Sequence, residues 1–159
     1  MVKYSPLAPL HNPASITGIK AAQTVFKDAL QTAVFDTAFH STMDKVNYLY
    51  PVPYSWYTDY GVRKYGMHGT SHRFVSKRIN EILGREDTKV ITCHIGNGAS
   101  ISAVVNGKCI DTSMGLTPNA GVMMGSRSGD IDASIIPYIM KEANMTAEEV
   151  DTALNKQRG

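Results

Sequence analysis

The sequence has no stretch of about 20 apolar residues, the length a helix needs to cross a bilayer. Its first ten residues hold two prolines instead of the apolar core of a signal peptide. It lacks any run of Lys or Arg, and 16 basic against 14 acidic residues leave a net charge of only +2. That excludes the electrostatic footprint of a nucleic-acid or anionic-membrane partner. Cysteine is scarce: Cys93 and Cys109 are expected as two buried free thiols in a reducing setting, although neighbouring strands would permit a disulfide. There is no internal repeat and no low-complexity tract. The chain reads as cytoplasmic, with 159 residues for one domain or pieces of two.

What is present centres on residues 90–112. Val90 to Ile95 is a short run of strand formers, broken by Gly96-Asn97-Gly98. A second strand resumes at Ser100, and Asn106-Gly107 is a hairpin turn signal before a third. Glycines at a tight turn let backbone N–H groups face a ligand, Asn97 adds an amide and Ser100 a hydroxyl. This chemistry suits a phosphate, and it equally suits an ordinary turn.

Upstream, Asn12 and Pro13 open an amphipathic helix expected over residues 13–30, with Gly18 inside it as a sign of close packing. Residues 32–36 read as a buried strand that delivers Asp36 at its C-terminal end, where ligands bind in open α/β sheets. The alternative for Asp36 is a helix cap. Seven aromatics within residues 41–66 suggest a packed loop with a short helix over residues 55–60. Thr70 or Ser71 caps a helix to Leu83, ended by Gly84, with Phe74, Val75, Arg78, Ile79 and Ile82 on its inner face. His68 then lies at a helix N-terminus, where free N–H groups attract anions. The spacing of His68 and His72 invites zinc, without a carboxylate or cysteine ligand near it.

Residues 113–130 hold four glycines, one proline and a single Arg127. Such an Arg is poised to fork onto a carboxylate or phosphate; the alternative is an ion pair with Asp130 or Asp132. Asp130 is expected to cap a helix kinked by Pro137, with Ile135, Ile136, Ile139 and Met140 inward. Thr146 and Glu149 form a capping box for a last helix.

Six motifs, carried by residues 8–13, 34–40, 65–72, 93–100, 111–115 and 124–130, occur in the order and spacing of the acetate kinase family, which the chain resembles along its whole length. The resemblance implies an α/β chain that is a fragment of a two-lobed actin/hexokinase-like (ribonuclease H-like) fold. Residues 1–37 would be the last helix and strand of the first lobe, and residues 38–159 the opening part of the second. It implies phosphoryl transfer between ATP and a small carboxylate, acetate or propionate, giving an acyl phosphate and ADP with Mg²⁺, in a homodimeric parent enzyme. By the resemblance Arg127 and His68 stabilise the transferred phosphoryl group, and Asp36 organises Mg²⁺ and the reacting groups. His94, Gly96, Asn97 and Gly98 belong to a phosphate loop. Leu10 and Pro118 line the pocket for the acyl methyl group, and His11 supports it. Met67 stands where the family carries Phe, which leaves acetate and propionate both open. Family members are more than twice as long, with a serine-rich phosphate loop and a second arginine that have no counterpart here. The chain is therefore expected to be the middle of such an enzyme and inactive alone. The alternative is a truncated, non-catalytic binding or dimerisation module built on the aromatic segment.

Overall fold

The structure is a computed structural model that describes Val2, Ser5 and residues 11–157. The chain divides into two compact units, Met1–Phe35 and Asp36–Gly159.

The described part of the first unit holds the helix α1 (Asn12–Val25), with Pro13 in its first turn, where a missing N–H costs nothing. His11, not Asn12, occupies the cap position. The helix is shorter than expected, and Val25, Phe26 and Leu30 are all exposed. Gly18 is not a close-packing site, since a side chain there would meet nothing within 4 Å. Residues 32–36 form no strand. Their apolar residues are exposed, and a short apolar run without a neighbouring strand has nowhere to place its backbone hydrogen bonds.

The second unit is built on a three-stranded antiparallel sheet in the order β1 (Lys89–Ile95), β2 (Ala99–Val105), β3 (Lys108–Thr112). All three strands fall where the sequence puts them. Asn106 and Gly107 both have positive φ, 51° and 73°, as the tight hairpin turn demands. The register sets Thr92 opposite Ser102 and His94 opposite Ser100. Because side chains alternate along a strand, these four share one face. The opposite face of β1 carries Ile91, Cys93 and Ile95, all exposed. Cys93 is thus not the buried thiol expected; Cys109 is, at 0% exposure, and both are free.

Helix α4 (Gly69–Leu83) packs on β1. Its buried positions are Gly69, His72 and Ser76, while Phe74, Val75 and Ile82 face outward. The apolar stripe of the sequence is therefore not the face this unit buries. The helix instead sets a polar row against the polar face of the sheet, where Thr92, Ser100 and Ser102 are buried.

Between the units' boundary and α4 lie a 3-10 turn (Ala38–Thr42) and two short helices, α2 (Lys45–Tyr48) and α3 (Tyr54–Tyr60). The aromatics of this segment do pack. Tyr57 lies between Tyr48 and Tyr54, with ring centroids 5.9 and 5.5 Å away, and the Arg63 guanidinium sits 3.7 Å over the Tyr48 ring. The long loop after β3 is held by buried Met114 and Met124, which cluster with Ala99, Met67 and Val122. Helix α5 (Ile135–Glu142) starts later than expected, after Ser134, so Pro137 falls in its first turn, where it is tolerated. Ile135 and Ile136 remain exposed. The Asp130 carboxylate accepts from Gly121 N (2.7 Å) and folds the loop instead of capping a helix. Helix α6 (Ala147–Lys156) opens with the expected capping box, Thr146 and Glu149 each accepting from the other's backbone N–H.

Candidate active site

The site forms where the start of α4, the β1–β2 turn and the long loop meet. Asp36 lies against the first turn of α4. Its Oδ2 accepts from His68 N (2.7 Å), its Oδ1 from Thr70 N (3.2 Å) and its carbonyl from Gly69 N (2.8 Å). The residue at 69 has to be glycine, because a Cβ there would run into the Asp36 carbonyl. Three consecutive amides at this helix end are thus already taken by an aspartate. The helix N-terminus is not a vacant anion site, as the sequence suggested; Asp36 is its anion. The capping alternative for Asp36 is therefore met, by long-range contact.

His68 is held in the left-handed region, φ 59° and ψ 24°, an uncommon conformation for a residue with a side chain. Its ring stacks on His94, with centroids 4.0 Å apart and 22° between the planes. His94 Nδ1 shares a 2.9 Å hydrogen bond with Ser71 Oγ, which fixes the stack from the far side. Burial, then the neighbouring His94, hold the His68 pKa below its usual value; Arg127 acts in the same sense and Asp36 opposes it.

Arg127 donates from Nη1 to the Pro118 carbonyl (2.6 Å) and pairs with no carboxylate among the described residues. The expected alternatives are otherwise engaged: Asp130 accepts from Gly121 N and Asp132 from Ser134 N. Pro118 thus reaches the site through its carbonyl. Gly98 is where the groups converge. A Cβ built on it would lie 2.9 Å from Arg127 Nη2 and 3.4 Å from His68 Nε2. The turn is braced by Gly125 N, which donates to Asn97 O (3.4 Å), and by Gly96 N, which donates to Gly98 O (3.1 Å). The Gly96 amide is therefore spent within the turn.

The structure brings together Asp36, His68, His94, Gly96, Asn97, Gly98, Arg127 and Pro118. Met67 packs on the Met114–Met124 cluster beside them, its carbonyl bonded to His40 Nε2 (2.9 Å). His11 belongs to the other unit, and Leu10 lies outside the described residues. Ser100, against expectation, has 0% exposure, so its hydroxyl cannot meet a phosphate; it bonds His68 Nδ1 (2.8 Å) and His72 Nε2 (2.7 Å). Sequence reasoning missed Thr92, His72 and Ser71 as supports of the site. The signal was available in the even-numbered face of β1 and β2 and in the four-residue step from His68 to His72. No three or more His, Cys, Asp or Glu side chains are placed to hold a metal among the described residues. A 420 Å³ hollow lined by Tyr50, Lys64, Ile91 and Asp111 lies elsewhere and includes none of these site residues.

A cation and an imidazole, Arg127 and His68, thus converge with a glycine turn on one spot beside Gly98. The profile of the acetokinase family matches residues 1–159, and the chain belongs to that family. It is 59% identical over 157 residues to acetate kinase 2 of Listeria monocytogenes and 60% identical over 159 residues to the acetate kinase of Bacillus velezensis. These alignments cover 98% and 99% of the chain but 40% of each relative. Among solved structures, a propionate kinase from Francisella tularensis superposes with a TM-score of 0.94 at 51% identity, covering 99% of this chain and 41% of that one. The acetate kinase of Porphyromonas gingivalis gives 0.92 at 48% identity, with 99% and 40% covered. The chain thus spans about 40% of the length of the curated relatives it matches.

Proposed function

We propose that these residues form one side of the phosphoryl-transfer site of an acetate kinase, which moves a phosphoryl group from ATP to acetate. The observation that carries this reading is the approach of Arg127 Nη2 and His68 Nε2 to the same face of Gly98 in a chain of this family. A carboxylate is already a nucleophile near neutral pH, so the protein need not supply a strong base. It must hold acceptor and phosphoryl group in line and offset the charge that spreads over the phosphoryl oxygens. Arg127, without a carboxylate partner among the described residues and anchored through the Pro118 carbonyl, keeps Nη2 for that charge. His68 faces the same spot from the start of α4. Asn97 and Gly98 line the approach, and His94 holds the His68 ring flat.

Mg²⁺ and the nucleotide fit the donor set in a limited way. Mg²⁺ bound to phosphates needs only one or two protein carboxylates. Asp36 offers one: each of its oxygens accepts a single N–H bond and retains a lone pair. When bound, the ion would neutralise phosphate charge. The same reading carries a cytoplasmic homodimer and a pocket near Met67 that takes acetate or propionate.

The test is acyl phosphate formation, trapped with hydroxylamine, in the protein that carries this chain. Arg127→Ala should lower turnover by about 100- to 1,000-fold. An unchanged rate removes Arg127 from the chemistry. The 159 residues alone should give no acyl hydroxamate above the blank, and robust formation would show that the site needs nothing beyond them.

A further inference from the structure

Beneath the site runs a single file of buried polar groups that the proposed chemistry does not use. Thr92 Oγ1 lies 3.4 Å from the Ser102 carbonyl and 2.8 Å from His72 Nδ1. His72 Nε2 lies 2.7 Å from Ser100 Oγ, which lies 2.8 Å from His68 Nδ1. Thr92, His72 and Ser100 are 3%, 1% and 0% exposed, so bulk water does not supply alternative partners.

With the Thr92 hydroxyl as donor to the Ser102 carbonyl, the proton count along this file has one solution. A carbonyl only accepts, so the Thr92 hydroxyl spends its one proton on Ser102 O. Thr92 Oγ1 must then accept from His72 Nδ1–H. A neutral imidazole has one N–H, so His72 Nε2 carries a lone pair and accepts from Ser100 Oγ–H. Ser100 has no second proton, so its oxygen accepts from His68 Nδ1–H. We infer that Thr92, His72 and Ser100 are positioning residues that fix the tautomer of His68, placing its proton on Nδ1 and the Nε2 lone pair toward Gly98 and Arg127. Burial, with the other histidines, pulls the His72 pKa down to about 4, which keeps His72 neutral as the file requires.

The arrangement restricts what His68 can do. In its neutral form Nε2 is an acceptor; it donates only when the ring carries a second proton. On the transferase reading, to which this last step is tied, a neutral His68 turns a lone pair and not a proton toward the phosphoryl oxygens. The tautomer itself is independent of that reading.

The test is ¹⁵N-detected NMR of the histidine ring nitrogens in the labelled protein, at a pH where the rings are neutral. The wild type should show His68 protonated on Nδ1 and bare at Nε2. Thr92→Val should invert the file. Losing its acceptor, His72 moves its proton to Nε2 and donates to Ser100, which turns its hydroxyl to His68 Nδ1 and leaves His68 protonated on Nε2. Ser100→Ala should likewise release His68 from the Nδ1–H form. A wild-type His68 protonated on Nε2 overturns the proposal without any variant. So does a His68 tautomer that both substitutions leave unchanged. Loss of activity in Arg127→Ala has no bearing on these spectra, so the two readings fail separately.

Discussion

Lowering the pH from about 7.5 to about 4.5 should weaken the fold chiefly through His72. This ring is 1% exposed, shares both nitrogens with neutral hydroxyls, and has its pKa pulled from 6.5 to about 4 by burial and, behind that, by His40, His68 and His94. The sign follows from proton binding. Between the two values the unfolded chain takes up a proton at this position and the folded chain does not, so acid favours unfolding. The stability tied to His72 is complete above the unfolded value and is lost as the pH falls toward the folded one. At about 1.4 kcal/mol per pH unit the whole effect is about 3 kcal/mol, and most of it is gone by about pH 4.5. That is a large part of an ordinary domain's stability. Urea unfolding followed by circular dichroism at the two pH values measures it, with His72→Gln as the control. The amide can still bond a hydroxyl and does not titrate. The variant should start weaker at neutral pH and then lose about 2 to 3 kcal/mol less on acidification than the wild type. Buried His40, whose pKa is also lowered by burial, contributes to both proteins and cancels. Equal losses in the two proteins would refute the reasoning.

Asp36→Ala removes the acceptors of two amides at the start of α4 and should cost about 1–2 kcal/mol in urea unfolding, with Asp36→Asn costing less because one acceptor remains. No change in either would mean that the carboxylate does not hold the helix end. The thiols should react unequally with a disulfide reagent. Exposed Cys93 should titrate at once, while Cys109, buried and with its pKa pushed up to about 11 mainly by that burial, should appear only on unfolding; two fast thiols would contradict the packing.

The hairpin strands, the Asn106-Gly107 turn and the Thr146–Glu149 capping box were legible because each depends on residues close in sequence. The face of α4 was not. Hydrophobic periodicity points to Phe74, Val75 and Ile82, whereas the unit buries His72 and Ser76 against Thr92, Ser100 and Ser102. A buried polar layer inverts the usual sign of the pattern, and only the hydrogen bonds between its members make it affordable. Asp36 shows the same limit. The sequence marks it as an acidic residue at a strand end, but no strand forms, and its partners at 68–70 lie some thirty residues away. Arg127 and Gly98 were each visible as residues suited to a phosphate, yet their convergence on one spot is a property of the folded loop.

The outward strip of β1 bears on how the material will keep. Ile91, Cys93 and Ile95 stand on one exposed face of β1, which among the described residues lies at the margin of the sheet. Such a margin offers unpaired backbone groups to another strand, and the two isoleucines make the meeting of two molecules sticky. In air-saturated buffer the thiol between them then joins one molecule to another. Samples kept with a reducing agent should therefore stay in solution longest, and those stored without one should show a covalent doublet on a non-reducing gel.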